Sequence, residues 1–127
     1  ERPVCRPSRL ALLERLIDAH PGAPWTVGEM ARRIGISPSR LHALSRSEWG
    51  LSPQAWLAER RIGHVRKWLA ESDLPIADLA LRAGYADQSA LTRAMQRLTG
   101  LTPAAYRRQT RLEQKNRSPE QDSRTRP

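Results

Sequence analysis

The chain repeats itself. Shifted by 49 positions, Ala31, Arg33 and Gly35 fall on Ala80, Arg82 and Gly84, and Val27, Glu29 and Met30 fall on the similar Ile76, Asp78 and Leu79. One residue later the shift becomes 50. Leu41, Gly50, Leu51, Pro53 and Ala55 then fall on Leu91, Gly100, Leu101, Pro103 and Ala105, with Trp56 over Tyr106. Eight identities with their capping residues kept indicate a duplicated unit. Two copies are too few for a solenoid, and 127 residues hold one domain or two very small ones.

Strand signals are weak throughout, because no segment alternates apolar with polar residues for long, whereas helical periods are clear. Ser8 caps a helix through His20 with Leu10, Leu13, Leu16 and Ile17 on one face, and Pro21-Gly22 ends it. Thr26-Val-Gly-Glu29 matches a capping box opening a short helix that stops at Gly35. Ser37-Pro38 places a cap before a proline at the first helical position, and that helix runs to Gly50. Ser52-Pro53 repeats the device for a long helix over about 53–71. Pro75 starts a short helix to Gly84, Asp87 caps one ending at Gly100, and Thr102-Pro103 opens a last one to about Gln109. The expected class is all-α, with seven helices.

Charge bounds the partners. Lys plus Arg number 22 against 13 acids, a net charge of +9 that favours a polyanion. The distribution is uneven. Residues 106–127 hold seven basic residues and three acids, or +4, while the body over 8–105 keeps 13 against nine, also +4. The tail over 110–127 is polar and is expected to be a basic disordered segment, with order lost beyond about residue 112. Residues 1–7 read as a linker from a missing N-terminal domain. The single Cys5 excludes a disulfide framework and a multi-cysteine metal site, and no apolar run approaches the ~20 residues of a membrane span.

Each copy has a short helix, a small residue (Ala31 or Ala80), a glycine four places later, a tight turn and a second helix. This is the helix-turn-helix pattern, whose second helix enters the DNA major groove. Two helical hairpins packed in a core would be the plainer reading of one copy; two copies with matched turns favour the DNA reading. In the first copy Leu41 and Leu44 are expected inward, leaving Ser39, Arg40, His42, Ala43 and Arg46 outside. In the second, Leu91 and Met95 are expected inward, leaving Gln88, Ser89, Thr92, Arg93 and Gln96. Arg pairs with guanine, Gln with adenine, and Ser or Thr with several base edges. A central helix of roughly 27 Å at ~1.5 Å per residue approaches one DNA turn of ~34 Å. One monomer would then reach successive major grooves of a site of around 15–20 base pairs and bend it.

These residues resemble the C-terminal DNA-binding domain of the AraC/XylS family of bacterial transcription regulators. The match is closest over Pro75-Ile-Ala-Asp-Leu-Ala-Leu-Arg-Ala-Gly-Tyr-Ala-Asp-Gln-Ser-Ala-Leu-Thr-Arg-Ala-Met-Gln-Arg-Leu-Thr-Gly-Leu-Thr-Pro-Ala-Ala-Tyr-Arg107. Glu59-Arg-Arg-Ile-Gly-His-Val-Arg-Lys-Trp-Leu69 resembles the family's linker helix, and Thr26 to Pro53 its first helix-turn-helix. The resemblance implies an AraC-type domain over 8–109. It divides into a first helix-turn-helix subdomain (8–51), a linker helix (52–71) and a second subdomain (72–109). It implies base contacts from Ser39, Arg40, His42 and Ala43, and from Gln88, Ser89, Thr92 and Arg93. Double-stranded DNA is the implied partner, with RNA polymerase a second and an effector-sensing or dimerising domain upstream. The implied place is the cytoplasm, on the nucleoid. The chain departs from the family at Ala43, where relatives often carry a long polar residue, and at Ser45 and Met95, usually a buried Phe. Trp49, Trp56 and Trp68 are candidates to restore that volume. Gly63, inside the linker helix, costs about 1 kcal/mol relative to Ala and offers some flexibility between the subdomains.

Other chemistry finds little footing. His20, His42 and His64 lie 22 apart with no Cys, Asp or Glu at ligand spacing, so neither a metal site nor a cofactor is expected. No phosphate-binding glycine loop or serine elbow is present, and no enzyme activity is expected. The remaining rival is a nonspecific or architectural nucleic-acid binder driven by the basic surface and tail.

Overall fold

The computed structural model describes residues 8–116, and these form seven helices and no strand. In chain order they are α1 (Arg9–Ala19), α2 (Val27–Arg33), α3 (Pro38–Glu48), α4 (Pro53–Glu71), α5 (Ile76–Arg82), α6 (Gln88–Thr99) and α7 (Pro103–Asn116). Side-chain caps fix most of the starts. The Ser8 hydroxyl accepts from the Ala11 amide at 3.0 Å, Ser37 from Arg40 at 3.1 Å, and Ser52 from Ala55 at 3.2 Å. Asp87 accepts from Ala90 at 2.8 Å and Thr102 from Ala105 at 3.1 Å. Each such cap is worth about 1 kcal/mol. The capping box expected at Thr26 is only half made. Thr26 accepts from the Glu29 amide at 3.0 Å, but the Glu29 carboxylate turns outward to Arg32 (2.7 and 3.0 Å) and Arg33 (3.5 Å). Two cations one turn on compete successfully with an amide that water can satisfy.

The two short helices stop in the same way. The Ile36 amide reaches back to the Ala31 carbonyl and Gly35 to Arg32, at 3.0 and 3.2 Å. Tyr85 reaches back to Ala80 and Gly84 to Leu81, at 2.9 and 3.1 Å. Both are Schellman closures, which need a left-handed residue after the helix; Gly35 and Gly84 supply it at φ 76° and 96°. Ala31 and Ala80 are buried beneath these turns, as small residues at a helix crossing should be.

Burial falls into two clusters, one per unit. Leu10, Leu13, Ile17, Trp25, Met30, Ala31, Ile34, Leu41, Trp56 and Leu57 form the first. Ile62, Val65, Leu69, Leu79, Ala80, Ala83, Leu91, Ala94 and Met95 form the second. The long helix α4 therefore changes allegiance between Leu57 and Ile62. Its first turns occupy the place in unit one that α7 takes in unit two (Pro53 and Trp56 over Pro103 and Tyr106). Its last turns match α1 at a constant offset of 52: Arg9 over Arg61, Leu10 over Ile62, Leu13 over Val65, Ile17 over Leu69. Each unit thus holds four helical segments, and α4 is the fused junction of the two copies. It runs unbroken through Gly63.

Ser45 is fully buried and donates to the Leu51 carbonyl, and the rings of Trp49 and Trp56 stack at the first core with centroids 3.9 Å apart. Leu44 faces inward as expected, half-buried against the first core, while Met95 is fully buried. The last helix does not end at Gln109 as expected but continues to Asn116, so order extends past residue 112. Its extra turn is held from the far end of α4. Arg111 donates to the Ser72 carbonyl at 2.7 Å and to Leu69 at 3.5 Å, and Gln114 to Ala70 at 3.4 Å, continuing from Arg107, which donates to Leu69 at 3.2 Å. Guanidinium groups at the carbonyl end of a helix also oppose its negative dipole end. The remainder of the expected tail, and residues 1–7, lie outside the described residues.

Candidate nucleic-acid interface

Helix α3 follows the first Schellman turn, with Leu41 and Ser45 buried beneath it. Ser39, Arg40, Ala43 and Arg46 are exposed and His42 is half-buried, so all five expected residues lie on the outer side of one helix. Helix α6 follows the second turn, with Leu91, Ala94 and Met95 buried. Gln88, Ser89, Arg93 and Gln96 are exposed and Thr92 is half-buried. The repeat superposes Ser39 on Ser89, His42 on Thr92, Ala43 on Arg93 and Arg46 on Gln96. The same face is therefore presented twice with different chemistry.

Among the described residues, none of these ten side chains has a hydrogen bond or ion pair within the chain. The nearest acid at the start of α6 is Asp87, and its carboxylate is committed to capping the Ala90 amide. What remains on both faces is a set of uncommitted donors and acceptors, with Arg40, Arg46, Arg93 and Arg97 supplying positive charge. That combination suits polar edges framed by phosphates.

Four residues that position these faces have no place in the expected site. Asp18 on α1 receives Arg60 and His64 of α4, the latter at 3.0 Å. Partial burial pushes the Asp18 carboxyl up, but the hydrogen bonds and charges of Arg60 and His64 outweigh it and hold the group below its ordinary value. Arg61 donates to the Pro21 carbonyl at 3.1 Å and to Ala23 at 2.8 Å, in the loop between α1 and α2. Burial lowers its pKa, offset in part by Tyr85. The spacing of Arg9 and Arg61 was the available signal for Arg61; Asp18 gives none, because its partners are more than 40 residues away. The three histidines occupy separate settings, His20 capping α1, His42 on α3 and His64 bonded to Asp18. No group of three His, Cys, Asp or Glu able to hold a metal occurs among the described residues. No described helix is long and apolar enough to cross a membrane.

Known proteins share this arrangement. A helix-turn-helix domain family matches residues 30–109. The HTH-type transcriptional regulator ExsA of Pseudomonas aeruginosa is 34% identical over 95 residues, covering 75% of this chain and 34% of that protein. The arabinose operon regulatory protein of Salmonella typhimurium is 30% identical over 94 residues, covering 74% and 32%. The chain thus spans about a third of the length of these curated relatives. Among solved structures, the DNA-binding domain of the global transcriptional factor AdpA, in complex with a target DNA, superposes with a TM-score of 0.78 at 28% identity. It covers 84% of this chain and 96% of that one. The C-terminal domain of AraT, a response regulator from Geobacillus stearothermophilus, gives 0.76 at 27%, covering 83% and 88%. With its family match, its relatives and its twofold helix-turn-helix architecture, the chain belongs to the AraC-type family of helix-turn-helix transcriptional regulators.

Proposed function

We propose that this chain is the sequence-specific, double-stranded-DNA-binding part of a bacterial transcription regulator, and that α3 and α6 read base edges in successive major grooves of one duplex. The observation that carries this reading is the pair of equivalent outer faces, each left without side-chain partners among the described residues and each seated on the same turn. Arg93 and Arg46 suit guanine O6 and N7, and Gln88 and Gln96 suit adenine N6 and N7. Ser39, Ser89, Thr92 and His42 offer single hydrogen bonds, Ala43 suits the thymine methyl group, and Arg40 suits a guanine or the adjoining phosphate. The 19 residues of α4 span about 28 Å at ~1.5 Å each, near one turn of DNA, which favours neighbouring grooves on one side of the helix. The relatives' names support a role in gene regulation; action on the nucleoid, RNA polymerase as a second partner and an effector or dimerisation domain outside the chain are inferred from the family resemblance of the sequence alone.

Arg93→Ala tests the reading. A base-reading arginine contributes about 1–3 kcal/mol of discrimination, so its loss should weaken binding to a selected site roughly tenfold or more while binding to random duplex changes little. Competition titrations at one stated salt concentration measure both. Equal losses on the two DNAs would favour the nonspecific, charge-driven binder instead.

A further inference from the structure

The glycine that closes each helix-turn-helix turn is covered by an arginine, and the two arginines are treated differently. In the first unit Arg9 lies beside Gly35, where an added Cβ would stand 3.1 Å from its Nη1, and it donates to the Ile34 carbonyl of its own turn. In the second unit Arg61 holds the equivalent place, 52 positions on. A Cβ at Gly84 would stand 2.8 Å from its Nη2. Yet Arg61 donates to Pro21 and Ala23, carbonyls of the other unit. Between those two acceptors sits Gly22, whose Cβ would come within 2.5 Å of the Arg82 carbonyl oxygen and 3.4 Å of that of Leu81. The backbone of the α1–α2 loop thus rests on the carbonyls that end α5, the turn from which α6 departs. Asp18, with Arg60 and His64, ties α1 to the adjoining stretch of α4.

From this geometry we infer that Arg61, Gly22 and Gly84 form a positioning joint that fixes the angle between α3 and α6, and thereby sets which spacing between two half-sites the protein accepts. The inference rests on the paired reading proposed above. B-form DNA turns once in about 10–10.5 base pairs, so one inserted pair rotates the second half-site by roughly 35°. Two linked reading heads gain from each other only when geometry allows both to engage. A joint that cannot pivot converts that rotation into lost affinity; a loose one absorbs it.

Two variants open the joint by different routes. Arg61→Ala removes the bridge. Gly22→Ala wedges a methyl group against the Arg82 carbonyl while deleting no core side chain and no side-chain hydrogen-bonding group. Binding of the full chain is measured on duplexes carrying the two selected elements at preferred spacing, and with one base pair added or removed. Wild type should lose about tenfold or more on either change. Both variants should lose about threefold or less, with the preferred bases inside each element unchanged. A second readout needs no DNA. Spin labels on Ser47→Cys and Ala104→Cys, in a Cys5→Ser background, should give one narrow distance distribution in wild type and broad ones in both variants. Folded variants with the wild-type spacing penalty, or with an unbroadened distribution, would overturn the joint. A wild-type selection yielding only one element would overturn the paired reading and the spacing role together, and the label distances would still report whether the joint is rigid.

Discussion

Asp18 belongs to no motif, yet Arg60 and His64 both converge on it and it ties the first helix to the middle of α4. Because its carboxyl is held below the ordinary value, the ionised form is favoured in the folded chain. The resulting stability is present above the unfolded value near 3.8 and fades as pH falls through the lowered folded one. About a third of the side chain is exposed (33%), so solvent screening limits the contribution to about 1 kcal/mol or less. Asp18→Asn should therefore lower stability by roughly 0.5–1 kcal/mol at pH 7, with the difference shrinking below pH 4, as denaturant melts across pH would record. Single residues also mark where sequence patterns were readable. The caps at Ser8, Ser37, Ser52 and Asp87 act over three residues and are legible as written. Glu29 is not, because Arg32 and Arg33 offered its carboxylate a better partner than the expected amide.

At the scale of elements, α4 does two jobs that its sequence shows as one uninterrupted period. Trp56 and Leu57 belong to the first core and Ile62, Val65 and Leu69 to the second. Gly63 lies just past that change on the exposed side, with nothing within 4 Å of an added Cβ. A glycine in an open helix interior is worth about 0.5–1 kcal/mol less than alanine. Gly63→Ala should accordingly raise the melting temperature by a few degrees in calorimetry; a decrease would mean that the helix needs the glycine for a bend. The end of α7 was illegible for a different reason. Residues 110–116 bury little and look like the polar tail that follows, and what holds them is a row of carbonyls at Leu69, Ala70 and Ser72. Acceptors some 40 residues away leave no mark in local periodicity. The outer faces of α3 and α6 were readable because their buried residues, Leu41 and Leu91 foremost, fix which side turns out.

For the whole molecule, the duplication explains both the architecture and its asymmetry. One four-helix unit is used twice, the last helix of the first copy runs into the first helix of the second, and the Arg61 contacts stitch the copies side by side. The two outer faces differ where bases would be read: Ala43 stands against Arg93 and Arg46 against Gln96. A single chain therefore suits an asymmetric target rather than a palindrome, since a palindrome reflects a twofold pair of identical readers. The most direct measurement is selection of bound duplexes from a random pool by the wild-type chain at a fixed, stated salt concentration. Two unlike short elements should emerge, separated by about one helical turn in a fixed spacing. A pool that stays random after repeated rounds, or that converges on one element with no second at constant distance, would contradict the claim that α3 and α6 read one duplex together.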